Sequence, residues 1–158
     1  MNASHVFALA FGIGIVAGLR SMTAPAAVSW AGHLGWLSLR GSRLAFMASP
    51  LAVAILSLAA IAEYVNDLLP KTPSRTTPGP LIARFVTGGL SGACLSASAN
   101  RSLVVGAFLG GIGAVIGAFA GYQARTRLVK GLKVKDAFIA IPEDLVAIGL
   151  AYFFVSAR

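Results

Sequence analysis

Residues 6–30, VFALAFGIGIVAGLRSMTAPAAVSW, determine how this chain folds. Fourteen uncharged residues, Val6 to Leu19, precede Arg20, and the next charged residue is Arg40. A charged side chain at the centre of a membrane-spanning helix costs roughly 2.5–3.5 kcal/mol on insertion scales, so it needs a partner or a function. The stretch therefore predicts a membrane segment whose guanidinium faces the interior of the protein.

The composition of the whole chain excludes an ordinary soluble domain. Of its 158 residues, 57% are hydrophobic and 11% are charged, and the mean hydropathy is +0.81. Soluble domains carry roughly 25% charged residues. We predict an all-α, polytopic membrane helix bundle that forms a single domain over residues 1–158. About five segments approach the roughly 20 residues that a transmembrane helix needs: 6–30, 46–69, 81–98, 104–122 and 138–156.

The first of these segments is predicted to contain a break near residues 20–24. As one helix, residues 6–37 would be about 48 Å long, more than a simple span requires. Either one helix continues along the membrane interface, or two half-helices meet at the break. The second option fits Thr23 as an N-cap and Pro25 in a first helical turn. Because the N-terminus lacks the Lys and Arg of a secretory signal, we expect this segment to be retained.

A second interruption lies between the second and third apolar segments. Residues 70–80 contain four prolines and one glycine, which excludes a regular helix. We predict an ordered, Pro-rich loop that could line a cavity.

Both interruptions place an arginine close to the expected start of a helix. The unpaired N–H groups and the positive dipole end of a helix N-terminus favour an anion. The sequence therefore predicts binding of a small anionic ligand or a phosphate-bearing amphiphile. The alternatives are a structural ion pair for Arg20 and an ordinary loop charge for Arg75. The predicted binding residues are Arg20, Ser21, Thr23, Arg75, Thr76, Thr77 and Arg84.

Two groups of acidic and amide side chains are the candidate coupling or ion-pair residues. Glu63, Asn66 and Asp67 share one helix face by their spacing. The two carboxylates repel, so one should hold a proton unless a cation or an arginine lies between them. They form either a proton- or cation-coupling site or ion-pair partners of Arg20 or Arg84.

Glu143 and Asp144 follow Pro142 and allow two interpretations. In a helix that begins at Pro142, they lie in the first turn and are stabilised by the helix dipole. In a helix that begins near Asp136, they are buried in the span and need arginine partners or water.

Glycines recur every three or four residues in the fourth apolar segment and share one helix face. Small residues at this spacing allow close helix packing in lipid. The face serves either ordinary packing or a dimer interface, and we predict a homodimer sealed by the glycine faces. The glycines are Gly106, Gly110, Gly113, Gly117 and Gly121.

The net charge of +8 is distributed as expected for a membrane protein and does not indicate nucleic-acid binding. Basic residues concentrate in loops 70–84 and 123–136, which share one side of the membrane if the helices alternate. Positive loops face the cytoplasm, beside anionic lipid headgroups. We predict a bacterial cytoplasmic (inner) membrane protein with both loops on the cytoplasmic side and membrane lipids as partners.

The sequence predicts no metal, no cofactor and no catalytic residue. Cys94 is the single cysteine, and His5 and His33 are isolated. Neither a P-loop nor a hydrolase G-x-S-x-G motif occurs. Enzyme activity is therefore not predicted.

Four motifs resemble those of a bacterial family of small membrane proteins, domain of unknown function 4126: GLRSMTAPAAVSW, EYVNDLLPKTPSRTTPGPLIAR, GAVIGAFAGYQAR and PED. The resemblance implies a membrane protein in which the polar motifs are a family hallmark, and it implies no particular activity. From the residues we predict a small transporter or channel that is proton- or cation-coupled. The alternative is a non-transporting structural or partner-binding protein whose buried ion pairs only fix helix packing. A membrane enzyme acting on a lipid is a third option.

Overall fold

The computed structural model describes residues 2–68, 76–132 and 136–157. Within these ranges the secondary structure is entirely helical, as predicted. A short 3₁₀ helix at Ala45–Ala48 accompanies six α-helices: α1 (Ala3–Leu19), α2 (Thr23–His33), α3 (Pro50–Asp67), α4 (Pro78–Ser98), α5 (Leu103–Leu132) and α6 (Asp136–Ser156).

The helices confirm a polytopic membrane bundle. Helices α3, α4 and α5 and residues Phe138–Ser156 of α6 are long and apolar enough to cross a membrane. Helix α1 is a shorter apolar helix of 17 residues. The first predicted segment is divided between α1 and α2, so the predicted break is present and the half-helix option is confirmed.

Helix α2 folds back along α3 after the break. Thr23 contacts Tyr64 and Trp30 contacts Ser57, so the two helices run antiparallel. Helix α3 also ends beside the break. Helices α1 and α2 therefore both extend from Arg20 toward the same, opposite end of the bundle.

The Pro-rich loop ends earlier than predicted. Residues 69–75 lie outside the described residues. Pro78, Gly79 and Pro80 form the first turn of α4, because proline is tolerated where the N–H groups have no helical acceptor. The loop therefore ends at Thr77, which precedes the helix.

The glycine face of α5 forms the centre of the bundle, between α1 and α4. A Cβ atom added to Gly110 would collide with the carbonyl oxygen of Gly88, and one added to Gly14 would collide with that of Gly110. Gly113 and Gly117 lie in the same way against the backbone of α1, Gly106 lies against Ser96, and Gly121 is buried. This packing corrects the predicted use of the face as a dimer seal. A homodimer formed through another surface stays a prediction.

Helices α3 and α5 end, and α4 and α6 begin, at one end of the bundle, which we call the charged end. Ion pairs from Arg84 to Glu63, from Arg125 to Asp67 and from Arg125 to Glu143 join the four helices there. Helix α5 has 30 residues and is about 45 Å long, more than the roughly 30 Å hydrocarbon layer. The helix is therefore longer than a span requires, and its last turns, with the exposed Lys130, lie at the charged end.

Candidate functional site

Among the described residues, seven ionisable side chains meet at the break between α1 and α2. The chain has five Asp and Glu residues, and four of them belong to this group. We call the group the charge cluster: Arg20, Glu63, Asp67, Arg84, Arg125, Glu143 and Asp144.

Arg20 is the most deeply buried member of the charge cluster, with 1% of its surface exposed. Its Nη2 donates to Oδ2 of Asp67 at 2.8 Å, and its Nε lies 2.5 Å from Oδ1 of Asp144. Glu143 is 3.9 Å from the same Nη2, and the guanidinium lies over the ring of Tyr64. The inward orientation expected for Arg20 is observed, and its charge is neutralised inside the chain.

Arg125 connects α5 to α3 and α6. Its Nη1 lies 2.5 Å from Oδ2 of Asp67 and 3.4 Å from Oε2 of Glu143. Two guanidiniums, those of Arg20 and Arg125, thus bind the same carboxylate oxygen. Asp67 is the side chain that ties the end of α3 to the rest of the bundle.

Glu63 binds the backbone at the helix break. The N–H groups of Ser21 and Met22 donate to Oε1 and Oε2 respectively, both at 2.8 Å. The Ser21 hydroxyl donates to Oε1 at 2.9 Å, and Nη2 of Arg84 lies 3.6 Å from the same oxygen. The Nε of Arg84 donates to the carbonyl of Gly18 at 3.1 Å, which fixes the guanidinium beside the break.

The predicted N-cap of α2 is wrong. Thr23 is the first helical residue, and Met22 occupies the N-cap position without a side-chain cap. The carboxylate of Glu63 binds the neighbouring amides instead, while the Thr23 hydroxyl shares a 2.6 Å hydrogen bond with the hydroxyl of Tyr64.

Glu143 and Asp144 lie well inside α6, as expected from the interpretation in which the helix begins near Asp136. Helix α6 begins at Asp136, so both acids lie about two turns into the helix, beyond Pro142. Arg20 and Arg125 are the arginine partners that this interpretation required.

The structure does not bring all the predicted site residues together. Asn66 is exposed, although its neighbours Glu63 and Asp67 face the bundle. Thr76 is half-buried, Thr77 is exposed, and α4 reaches the charge cluster through Arg84, more than a turn later. Arg75 lies outside the described residues.

Sequence reasoning missed two members of this region. Arg125 was expected only as a loop charge, and Tyr64 was not singled out. The position of Arg125 could have been inferred, because it follows Gly121 by four residues and so continues the buried glycine face. No comparable signal distinguishes Tyr64 from the apolar residues around it.

Among its described side chains, the charge cluster has more acidic groups than basic groups. Four carboxylates face three guanidiniums, so the fully ionised group carries one excess negative charge. The carboxylate side chains are 12–18% exposed, against 1% for Arg20. A proton or a small cation can therefore reach the acids more readily than any ligand can reach Arg20. Among the described residues, no group of three or more His, Cys, Asp or Glu side chains could hold a metal ion.

Apolar helices of membrane-spanning length, packed on a glycine core around buried ion pairs, define a polytopic helical membrane protein. Residues 7–157 match the family model described as Domain of unknown function (DUF4126), and the chain belongs to this family. No curated protein and no solved structure matches the chain.

Proposed function

We propose that this protein is a small membrane transporter or channel in which the charge cluster is the coupling site. The observation that carries the proposal is the meeting of four carboxylates and three arginines at a helix break inside an apolar bundle. Charged residues inside membrane proteins are costly and mark ion pathways or proton relays. Broken helices also form the binding sites of many transporters.

The close approach of several acids suggests what is coupled. Neighbouring carboxylates repel one another, so binding of one proton or one monovalent cation lowers the repulsion within the charge cluster. We propose a small anion as the transported species, because the amides of the break and Arg84 already bind one carboxylate, that of Glu63.

A second candidate function is structural, and the burial of Arg20 favours it. Arg20 is 1% exposed and pairs with carboxylates from α3 and α6. A closed network of this kind fixes how the helices pack and needs no substrate.

Reconstituted flux separates the two functions. Proteoliposomes that contain the wild-type protein should take up one member of a panel of small anions (chloride, nitrate, formate, phosphate) when an inward proton gradient is imposed. Asp67→Asn removes a charge that two arginines share. We expect Asp67→Asn to transport about tenfold more slowly than the wild type, which corresponds to a loss of about 1.4 kcal/mol of transition-state stabilisation.

Arg43→Gln is the matched control for the flux measurement, since Arg43 is an exposed basic residue in the segment that joins α2 to α3, away from the charge cluster. Its uptake rate should equal that of the wild type. If all three folded proteins carry no more anion than empty liposomes, transport is excluded and the structural function is favoured.

The charge distribution supports an orientation in a bacterial inner membrane. We propose that the charged end faces the cytoplasm, where Lys130 and its basic neighbours lie beside anionic headgroups. In a Cys94→Ser background, a membrane-impermeant maleimide added outside intact cells should label Arg43→Cys and leave Lys130→Cys unlabelled. A permeable maleimide should label both. Labelling of Lys130→Cys alone by the impermeant reagent contradicts this orientation.

A further inference from the structure

The carboxylate of Glu63 occupies a complete anion-binding arrangement at the helix break. Two consecutive backbone N–H groups, those of Ser21 and Met22, each donate to one of its oxygens at 2.8 Å. A hydroxyl donor from Ser21 and the guanidinium of Arg84 complete the set. We call these four donor groups the Glu63 site.

The donors of the Glu63 site are held in place independently of Glu63. The amides precede the first turn of α2, where N–H groups have no acceptor within the helix. Arg84 is anchored by its bond to the carbonyl of Gly18. Both polar side chains of the site belong to buried residues, since Ser21 and Arg84 are each 9% exposed. We therefore expect the donors to stay in place when the Glu63 side chain is removed.

We propose that the Glu63 site binds a small monocarboxylate, and that Glu63 is a tethered anion that fills the site in the absence of this ligand. The proposal deepens the proposed transport function and rests on it. A free carboxylate displaces the side chain and takes over its contacts with the four donor groups.

The charges around the site determine the class of ligand. Arg20 and Arg125 are bound to Asp67, and Arg20 also to Asp144, so Arg84 is the guanidinium that contacts Glu63. A monoanion replaces Glu63 charge for charge, whereas a dianion brings one negative charge too many. The two adjacent amides bind the two oxygens of one planar carboxylate.

Other charged and titratable groups of the described residues surround Glu63 and its neighbours. They come from every helix that meets there: Arg20 at the break, Tyr64 and Asp67 on α3, Arg84 on α4, Arg125 on α5, and Glu143 and Asp144 on α6.

Chemical rescue of Glu63→Ala tests the proposal. The full-length variant is purified in detergent, and its thermal unfolding is followed in sodium chloride and in sodium formate of equal concentration. We expect a lower melting temperature in chloride and a recovery of most of the loss in formate, which saturates with concentration as binding to one site requires. Sodium sulfate, a source of a dianion, stabilises folded proteins in general, so it should raise the melting temperature of Glu63→Ala no more than it raises that of the wild type.

Tyr64→Ala is the matched control, because it removes a neighbouring α3 side chain that faces the same break but carries no anion. Its melting temperature should be the same in formate and in chloride. Equal recovery of both variants, or no recovery of Glu63→Ala, overturns the proposal. If Glu63→Ala does not fold, Glu63→Gln is measured instead, and formate must stabilise it more than it stabilises the wild type.

The same measurements distinguish this proposal from the proposed function. Formate rescue of Glu63→Ala, together with a wild-type protein that shows no flux, supports the binding site and overturns transport. Flux in the wild type without rescue of either Glu63 variant supports transport and overturns the tethered anion.

Discussion

Replacement of Arg20 by methionine is expected to lower the free energy of unfolding by about 3–5 kcal/mol, the usual cost of removing one partner from a buried ion pair. Arg20 is 1% exposed and contacts the carboxylates of Asp67 and Asp144. Methionine fills much of the volume but leaves these acids without their common partner. The measurement is the midpoint of thermal or denaturant unfolding of the purified protein.

Two further variants show whether charge is the cause of the destabilisation by Arg20→Met. Arg127→Met makes the same substitution at an exposed position of α5 and should leave the midpoint nearly unchanged. Asp144→Asn combined with Arg20→Met removes one of the uncompensated charges and should recover part of the loss, as coupled residues do. If Arg20→Met is as stable as Arg127→Met, the charge cluster does not hold the bundle together.

The helix break could be predicted from the sequence because its signals are local. A single arginine in an apolar stretch must face inward, and Pro25 fits only the beginning of a new helix. The structure has both features, with α1 ending at Leu19 and α2 beginning at Thr23. The spacing of Glu63 and Asp67 likewise predicted that the two carboxylates face the same way, and both belong to the charge cluster.

The partners of these residues could not be predicted, because pairing depends on how distant helices pack. Ser21 and Met22 lie more than 40 positions before Glu63, and nothing in their local sequence identifies the acid that binds their amides. The glycine face was recognised, but its partner was assigned to a second copy of the chain. Small residues allow close approach without specifying which helix approaches.

Helix α3 is attached to the bundle in an unusual way, and this links the fold to the proposed function. Most of its surface is exposed, and it packs mainly on α2 and the 3₁₀ helix. At its end, the polar side chains of Glu63, Tyr64 and Asp67 bind the helix break and Arg125. We therefore expect the proposed coupling to act first on α3, which has the least apolar packing to resist movement.

Substitution of Gly110 by alanine is expected to destabilise the protein by about 3 kcal/mol or more, at the upper end of overpacking effects. The added methyl group meets the carbonyl oxygen of Gly88, which is backbone and cannot rotate away. Helices α4 and α5 must separate, and Arg84 and Arg125, which these helices carry, move apart with them. We expect loss of monodisperse protein on size-exclusion chromatography and a lower melting temperature.

Gly149→Ala is the matched control for Gly110→Ala, because no atom lies within 4 Å of its added methyl group. Alanine favours a helix over glycine by about 1 kcal/mol, so Gly149→Ala should be as stable as the wild type or more stable. The same Gly→Ala substitution is expected to lower the stability at position 110 and to raise it or leave it unchanged at position 149. This difference separates the effect of backbone collision from that of helix propensity. If Gly110→Ala behaves like Gly149→Ala, then α4 and α5 do not pack through Gly110, and the spacing of the charge cluster does not depend on the glycine face.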